Sequence, residues 1–135
     1  MPITINDPAI LAKARSAVHR GFDRWNETSE QQLIAHGENP FCGDELEIRL
    51  ALTPSEQGDI HIEHVAFDGY GCTLCMAAAE AVSEHIEGLP IAHAAALTFD
   101  DVCMLLGGLE VGRTRKGCVE LAAHIVARAL SPMLK

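Results

Sequence analysis

The sequence predicts an α+β fold, a single domain over residues 1–135 in which helices cover one face of a small antiparallel sheet. A stretch with helical spacing of apolar residues comes first, two segments of alternating apolar and polar residues follow, and further helical stretches come last. Two alternating segments joined by a short turn form a hairpin with one apolar face, and that face needs a cover. At 48% hydrophobic residues, the chain has enough apolar material for one compact core.

The first helix is predicted from its start signals and from its apolar spacing. Asp7 is a suitable cap, Pro8 fits the first helical position, and apolar residues recur at helical spacing over residues 10–22. We expect this helix to end within residues 21–25. Residues 26–39 are polar and lack a clear period, so they predict a connection in which residues 31–35 form a short helical turn.

The hairpin is predicted from two alternating segments. Residues 45–52, ELEIRLAL, place leucines and an isoleucine on one face, and residues 59–67, DIHIEHVAF, repeat this pattern with a slip near His64. The intervening TPSEQGD has the composition of a turn. These segments therefore predict an antiparallel pair.

Three more helices are predicted after the hairpin. Residues 73–88 show apolar helical spacing with Gly88 as the stop, and a shorter helix starts at Thr98 with Asp101 at the third position after it. A last helix is expected from about residue 116 to residue 130. No internal repeat or low-complexity run interrupts this order.

The net charge and the distribution of apolar residues limit which partners and which cellular location we expect. Ten basic and nineteen acidic side chains give a formal charge of -9, which argues against nucleic acid or an anionic membrane as partner and favours a basic protein. No apolar run reaches the roughly 18 to 20 residues of a membrane-spanning helix. The N-terminal MPITINDPAI lacks the basic-then-apolar order of a signal peptide. We therefore expect a cytoplasmic protein.

Five cysteines in such a chain indicate metal or thiol chemistry. The number is odd and the cytosol keeps thiols reduced, so a disulfide framework is not expected. The cysteines are Cys42, Cys72, Cys75, Cys103 and Cys118.

Three of these cysteines and one aspartate are expected to meet. Cys42 and Asp44 precede the first strand, and Cys72 follows the second, so the hairpin brings them to the same end. Cys118 is predicted to open the last helix, where backbone N–H groups favour a thiolate. Three thiolates and one carboxylate suit zinc or an iron-sulfur cluster, and the harder oxygen ligand makes the metal easier to release.

Three stretches, NPFCGDELEI, FDGYGCTLCMAAAEAVSEHIEG and TRKGCVELAAHIVARAL, resemble the U-type iron-sulfur cluster assembly scaffolds, the family of IscU-like, SufU-like and NifU-like proteins. The resemblance covers residues 39–130. It implies a three-stranded antiparallel sheet packed by helices, the SufE/NifU-like fold, with the third strand earlier in the chain or irregular. It also implies that Cys42, Cys72 and Cys118 are ligands and that Asp44 governs cluster lability or zinc binding.

The resemblance implies a function with two forms. A scaffold receives sulfur from a cysteine desulfurase, builds a labile [2Fe-2S] cluster and passes it to apo iron-sulfur acceptor proteins. A zinc-dependent sulfurtransferase instead holds Zn²⁺ at the same residues and accepts persulfide on Cys118. Gly117 stands where the IscU-like branch has histidine, and GYGCTLC resembles the SufU-like branch, but the forty-six positions from Cys72 to Cys118 leave no room for that branch's insertion. The non-enzymatic scaffold is the main prediction and the sulfurtransferase is the alternative.

The remaining candidates have ordinary interpretations beside the functional ones. Cys75 completes a C-x-x-C pair, yet core filling is favoured over a redox or sulfur-relaying role, and Cys103 is interpreted as a core residue. His61 and His64, three apart on a strand, are expected on opposite faces. His85, His93 and His124 are expected at the surface. Arg115 and Lys116 form either an exposed basic pair or a counter-charge for a cluster or persulfide.

Overall fold

The α+β class is confirmed by the computed structural model, which describes residues 3–23, 25 and 31–134. One antiparallel sheet has the strand order β1, β2, β3. The strands are β1 (Gln31–Asn39), β2 (Asp44–Pro54) and β3 (Ile60–Tyr70). The helices are α1 (Pro8–Arg15), α2 (Thr73–Ile86), α3 (Ile91–Ala94), α4 (Phe99–Leu105) and α5 (Arg113–Leu130), and a 3-10 turn follows at Ser131–Leu134. The sheet's inner face, α2 and α5 form the centre of the core.

The predicted hairpin is confirmed as β2 and β3. Their pairing runs from Glu45 opposite Tyr70 to Pro54 opposite Ile60, and its register shifts between Ala51 and Leu52. Glu63 is the residue left unpaired by this bulge, next to the slip predicted near His64.

The segment before the hairpin differs from its prediction. Residues 31–39 form β1 rather than a connection with a helical turn, and β1 pairs with β2 along its whole length. Its apolar alternation is interrupted at Gly37, where a Cβ would lie 2.5 Å from a side-chain carbon of Ile125 in α5. Because the helix takes that space, the strand carries no apolar side chain there. This is the third strand that the family resemblance implied.

The first helix begins as predicted but ends early. The Asp7 carboxylate accepts a hydrogen bond from the Ala9 N–H at 2.8 Å, while α1 stops at Arg15 instead of within residues 21–25. The chain then runs beside β3: the Gly21 N–H donates to the Phe67 carbonyl at 2.7 Å, and the Phe67 N–H donates to the His19 carbonyl at 3.0 Å. These bonds satisfy the backbone groups of a sheet edge, which a longer helix would leave unpaired.

A buried ion pair fixes this edge segment to α2. The Glu80 carboxylate accepts a hydrogen bond from the His19 N–H at 2.9 Å, and its other oxygen lies 2.6 Å from His19 Nδ1. The second ring nitrogen, Nε2, lies 3.1 Å from Glu87 Oε1. Burial by itself lowers the pKa of His19, but the hydrogen bonds and charges of Glu80 and Glu87 together raise that pKa above its ordinary value.

The later helices agree with the prediction except at the start of the last helix. Gly88, with φ +88°, follows the end of α2, and Thr98 with Asp101 forms a capping box on α4. The last helix begins at Arg113, three residues before the expected start. Helix α3 was not predicted.

One helical segment, Arg113–Leu134, is long and apolar enough to cross a membrane by length and composition, with a mean hydropathy of 1.2. The sequence expectation concerned an unbroken apolar run, and this segment is not one, because charged residues interrupt it at Arg113, Arg115, Lys116, Glu120 and Arg128. The segment contains α5, which packs against α2 and β1 and supplies eight buried residues to the core. A core helix passes the same composition test, and these contacts account for its apolar character.

Candidate metal centre

The hairpin turn between β1 and β2 presents two of the predicted ligands. Asn39 and Asp44 are paired across the two strands, and the Cys42 N–H donates to the Asn39 carbonyl at 3.2 Å. Gly43 has φ +72°, a conformation that a residue with a side chain rarely adopts. The turn leaves Cys42 half-buried and Asp44 fully buried at the start of β2.

Cys72 stands between β3 and α2, as predicted. It is the N-cap of α2, and its sulfur accepts a hydrogen bond from the Cys75 N–H at 3.4 Å. Its own N–H donates to Asp44 Oδ1 at 3.0 Å, which connects the second ligand segment to the first. Gly71 allows this approach, because a Cβ there would lie 3.0 Å from the same Asp44 oxygen.

Cys118 is placed differently from the prediction. It is the sixth residue of α5 and fully buried, so it does not open the helix. Burial raises the pKa of the Cys118 thiol, and hydrogen bonds with Asp44, Cys42 and Cys72 raise it further. The thiolate is therefore disfavoured without a cation, the reverse of the effect expected at a helix N-terminus.

Three of the four predicted ligands converge at one end of the sheet, and the fourth lies beside them. The ligand atoms of Cys42, Asp44 and Cys118 all lie within 4.8 Å of one another, and among the described residues this is the group of three that meets such a criterion. The Cys72 sulfur is outside this group of three, but its residue adjoins the group, because the Cys72 N–H donates to Asp44 Oδ1 at 3.0 Å. Ligands at zinc bond lengths of about 2.0 to 2.3 Å lie roughly 3.5 to 3.8 Å apart in a tetrahedron. A small closure of this group would suit such a metal, and three sulfurs with one oxygen are appropriate donors for zinc or iron.

Asn39, the last residue of the connection predicted over residues 26–39, also belongs to the site. Its side chain is 8% exposed, and Nδ2 lies 3.3 Å from Asp44 Oδ2 and 3.7 Å from the Cys118 sulfur. Gly117 makes room for it, since a Cβ at position 117 would lie 2.9 Å from Asn39 Nδ2. No periodicity or motif in the sequence identifies this contact.

The other two cysteines are core residues, as interpreted. Cys75 and Cys103 are both buried, and burial raises the pKa of each thiol, with nearby Asp44 adding to the effect at Cys75 and Asp100 at Cys103. Cys75 lies directly behind the site, because its N–H is bonded to the Cys72 sulfur. The antiparallel sheet also lacks the parallel strand-helix units expected of a thioredoxin-like protein.

Of the two predictions about histidines, the surface positions are confirmed and the opposite faces are not. Because the bulge leaves Glu63 unpaired, His61 and His64 lie on the same outer face of the sheet, so the expectation of opposite faces was wrong. His64 is exposed and its Nε2 lies 3.8 Å from Glu63, while Ile62 and Val65 face the core. The surface positions of His85, His93 and His124 are confirmed.

The two basic residues before Cys118, Arg115 and Lys116, lie in different environments. Lys116 is exposed and its ammonium lies 5.2 Å from the centre of the Phe99 ring. Arg115 is half-buried, and its Nε is a buried nitrogen without a hydrogen-bond partner in the described part of the chain.

Two aromatic side chains flank the ligands at the surface. Phe41 precedes Cys42 and is 94% exposed, and Tyr70 lies two residues before Cys72 and is 76% exposed. Exposed aromatic groups of this size are typical of protein interaction surfaces.

Comparison with known proteins identifies the family. The family profile described as NifU-like N terminal domain matches residues 20–134. The chain belongs to this family. The NifU-like assignment agrees with the antiparallel sheet and with the converging cysteine segments described above.

Two solved structures share the fold of this chain. A putative iron-sulfur cluster assembly scaffold protein for the SUF system from Fervidobacterium islandicum superposes with a TM-score of 0.66 at 23% identity, covering 93% of this chain and 96% of that one. A NifU-like protein (N-terminal) from Brucella abortus gives a TM-score of 0.68 at 16% identity, covering 96% and 94%.

The curated relatives match over shorter stretches. The chain is 37% identical over 71 residues to the iron-sulfur cluster assembly scaffold protein IscU of Aquifex aeolicus, which covers 53% of this chain and 43% of that protein. It is 37% identical over 59 residues to the zinc-dependent sulfurtransferase SufU of Bacillus subtilis, covering 44% and 37%. The bifunctional protein NifU/MnmA of Rubrobacter xylanophilus is 33% identical over 75 residues, covering 56% and 14%. The matched stretches thus span less than half of each relative's length.

Proposed function

We propose that this protein is a cytoplasmic iron-sulfur cluster assembly scaffold. It accepts sulfur from a cysteine desulfurase, assembles a labile [2Fe-2S] cluster on Cys42, Asp44, Cys72 and Cys118, and transfers the cluster to apo iron-sulfur acceptor proteins. The observation that carries the proposal is the convergence of the Cys42 and Cys118 thiols with the buried Asp44 carboxylate, beside which Cys72 is held by its N–H bond to Asp44. Membership of the NifU-like family supports it.

Sulfur enters this proposal by attack on a persulfide. A thiolate of the site attacks the outer sulfur of the desulfurase persulfide; a new S–S bond forms, the desulfurase S–S bond breaks, and the desulfurase cysteine leaves as a thiolate. Cys42 and Cys72 are half-buried and accessible to the incoming group, whereas Cys118 is fully buried. In this proposal Cys118 is the final persulfide acceptor, and it becomes accessible only when its neighbours move.

The electron balance requires a reductant beyond the iron. Two sulfane sulfurs take up four electrons to become two sulfides. Two ferrous ions supply two of these electrons as they become ferric, and an external electron-donor protein supplies the other two. Transfer then exchanges the scaffold ligands for thiolates of the acceptor. Asp44 is suited to leave early because a carboxylate is a harder and weaker ligand for this cargo than a thiolate.

Two exposed aromatic rings offer protein partners an approach surface at the site. Phe41 and Tyr70 present exposed aromatic rings on the two segments that carry Cys42 and Cys72. A desulfurase or acceptor that covers both rings would meet the half-buried thiols directly. The formal charge of -9 favours partners with a basic contact surface and disfavours nucleic acid or anionic membranes.

The test is anaerobic quantitation of metal and sulfide after reconstitution with ferrous iron, cysteine, a desulfurase and a thiol reductant that supplies the remaining two electrons. We expect two iron and two acid-labile sulfides per cluster, with visible charge-transfer absorption, and loss of the cluster in Cys42→Ser, Cys72→Ser and Cys118→Ser. Cys103→Ser is the matched control, because Cys103 is buried away from the ligand group and the cluster should be retained. A wild-type protein that remains colourless and free of sulfide would overturn the proposal.

The alternative function is a zinc-dependent sulfurtransferase, and the identity with SufU of Bacillus subtilis favours it as the second candidate. In this form Zn²⁺ is held by the same four residues and Cys118 accepts persulfide for onward transfer. Tight stoichiometric zinc in freshly isolated protein, stimulation of desulfurase turnover and no cluster after reconstitution would select this alternative. Zinc alone would not, since zinc binds the same donor set.

A further inference from the structure

Asn39 occupies an unusual position for a residue outside the ligand set. It ends β1 directly opposite Asp44, with its side chain almost fully buried beneath the site. Its amide faces two acceptors, the Asp44 carboxylate and the Cys118 sulfur, so the hydrogen-bonding chemistry itself requires that Nδ2 and not Oδ1 points at them.

Both oxygens of Asp44 are occupied by protein donors. Oδ1 accepts the Cys72 N–H at 3.0 Å, and Oδ2 accepts Asn39 Nδ2 at 3.3 Å. The first donor is a backbone group fixed by the start of α2. The second belongs to a side chain, so Asn39 contributes directly to how completely the buried carboxylate is satisfied when no metal is bound.

The same nitrogen also lies near a second proposed ligand. The Nδ2 to Cys118 sulfur distance is 3.7 Å, within the range of N–H to sulfur hydrogen bonds. A hydrogen bond to a metal-bound thiolate withdraws electron density from the sulfur and tunes the metal site. Both contacts of Asn39 therefore act against the metal: one satisfies Asp44 in its absence, and the other weakens the Cys118 donor in its presence.

The position is built to accept this amide. Residue 117 lies in α5 next to Cys118, and a Cβ there would approach Asn39 Nδ2, Cγ and Oδ1 to 2.9, 3.1 and 3.2 Å. A glycine inside a helix costs stability relative to alanine. The absence of a side chain at position 117 is what lets Asn39 lie against Asp44 and Cys118.

We infer that Asn39 is a positioning residue that limits metal retention, by competing with the metal for Asp44 and for electron density on Cys118. This inference rests on the proposed metal-binding function and concerns how tightly the site holds its cargo. An alternative, purely structural role would have Asn39 hold the ligands in place, and its removal would then weaken metal binding. The two roles therefore predict opposite signs for the change in affinity.

The experiment measures zinc affinity and zinc release in the purified full chain under reducing conditions. Zn²⁺ is titrated in competition with a chromophoric chelator, and release into excess chelator is followed by stopped flow. For Asn39→Leu we expect about tenfold tighter binding and a correspondingly slower release, the effect of losing one hydrogen bond to a charged group. The thiolate-to-metal absorption of the Co²⁺-loaded variant should also shift, because the Cys118 sulfur loses its donor.

Gly117→Ala provides a second variant that keeps Asn39 but displaces its amide. It should change affinity in the same direction as Asn39→Leu, and it keeps the inference testable if Asn39→Leu fails to fold. Gly112→Ala is the matched control, since a Cβ at that helix-flanking glycine meets nothing within 4 Å. Its zinc affinity should equal that of the wild type.

The outcomes separate the inference from the function on which it rests. Weaker or unchanged zinc binding in folded Asn39→Leu and Gly117→Ala, with normal binding by the wild type, overturns the inference and leaves the proposed function standing. No metal binding by the wild-type protein overturns the proposed function itself. Tighter binding in both variants with an unchanged Gly112→Ala supports the competitive role.

Discussion

Replacing Glu80 with glutamine tests the buried pair that fixes the edge segment to α2. The Glu80 carboxylate is 1% exposed, receives the His19 N–H at 2.9 Å and lies 2.6 Å from His19 Nδ1. Glutamine keeps the shape and one oxygen acceptor but removes the charge. Removal of one partner from a buried ion pair costs about 3 to 5 kcal/mol. Because Glu87 still lies 3.1 Å from His19 and glutamine still accepts a hydrogen bond, we expect Glu80→Gln to cost about 2 kcal/mol at pH 6.

The pH dependence has a definite sign. The pKa of His19 is raised in the folded protein, so the stability it contributes is fully present below its unfolded pKa, about 6.5. This contribution is lost as the pH rises through the higher folded pKa. The difference in unfolding free energy between wild type and Glu80→Gln should therefore shrink between pH 6 and pH 9.

Urea unfolding of metal-free, reduced protein at both pH values measures this difference. Glu84→Gln on the same helix is the control: its carboxylate pairs with Lys13 at 3.1 Å, but both side chains are partly exposed. A partly exposed pair of this kind contributes at most about 1 kcal/mol. A loss for Glu80→Gln no larger than that of Glu84→Gln at pH 6, or a difference that grows with pH, would refute the reasoning.

Three further predictions address the backbone, the spare thiols and the surface. Gly69→Ala should lower the free energy of unfolding in urea by about 3 kcal/mol or more, since Gly69 has φ +149° and a Cβ there would lie 2.0 Å from the Glu45 carbonyl oxygen. The control Gly58→Ala, with φ +91° in open space, should lower it by about 1 kcal/mol, and equal losses would contradict this reasoning. Cys75→Ser should destabilise the protein, as burial of a hydroxyl in place of a thiol does, yet retain stoichiometric zinc by metal analysis, and loss of zinc would make Cys75 a ligand. Phe41→Ser should leave zinc affinity unchanged while it lowers sulfur transfer from a desulfurase several-fold, and unchanged transfer kinetics would exclude this ring from the docking surface.

The convergence of Cys42, Asp44 and Cys72 was predictable because it depends only on chain reversal. Alternating apolar residues predict the β2–β3 hairpin, and a hairpin brings the residues before its first strand close to those after its second. The helix caps were predictable for a similar reason, since Thr98 and Asp101 act through local hydrogen bonds. Such features need no knowledge of tertiary packing.

The unpredicted features depend on contacts distant in sequence. Strand β1 lacks an apolar side chain at Gly37 because Ile125 of α5 takes that space, so the strand's own pattern is incomplete. The start of α5 was placed too late because residues 113–115 carry no apolar spacing and Gly112 offers no side-chain cap. The role of Asn39 depends on Asp44 across the strand pair and on Gly117, nearly eighty positions away. The spacing of residues in the sequence does not reveal such long-range contacts.

The distribution of the ligands along the chain has a consequence for synthesis. Cys42, Asp44 and Cys72 emerge from the ribosome well before Cys118, which occupies its place only after α5 has formed and packed against α2 and β1. A partly synthesised chain thus carries two exposed thiol segments but cannot enclose a metal ion with the full donor set. The complete donor set therefore forms only in a chain that has finished folding.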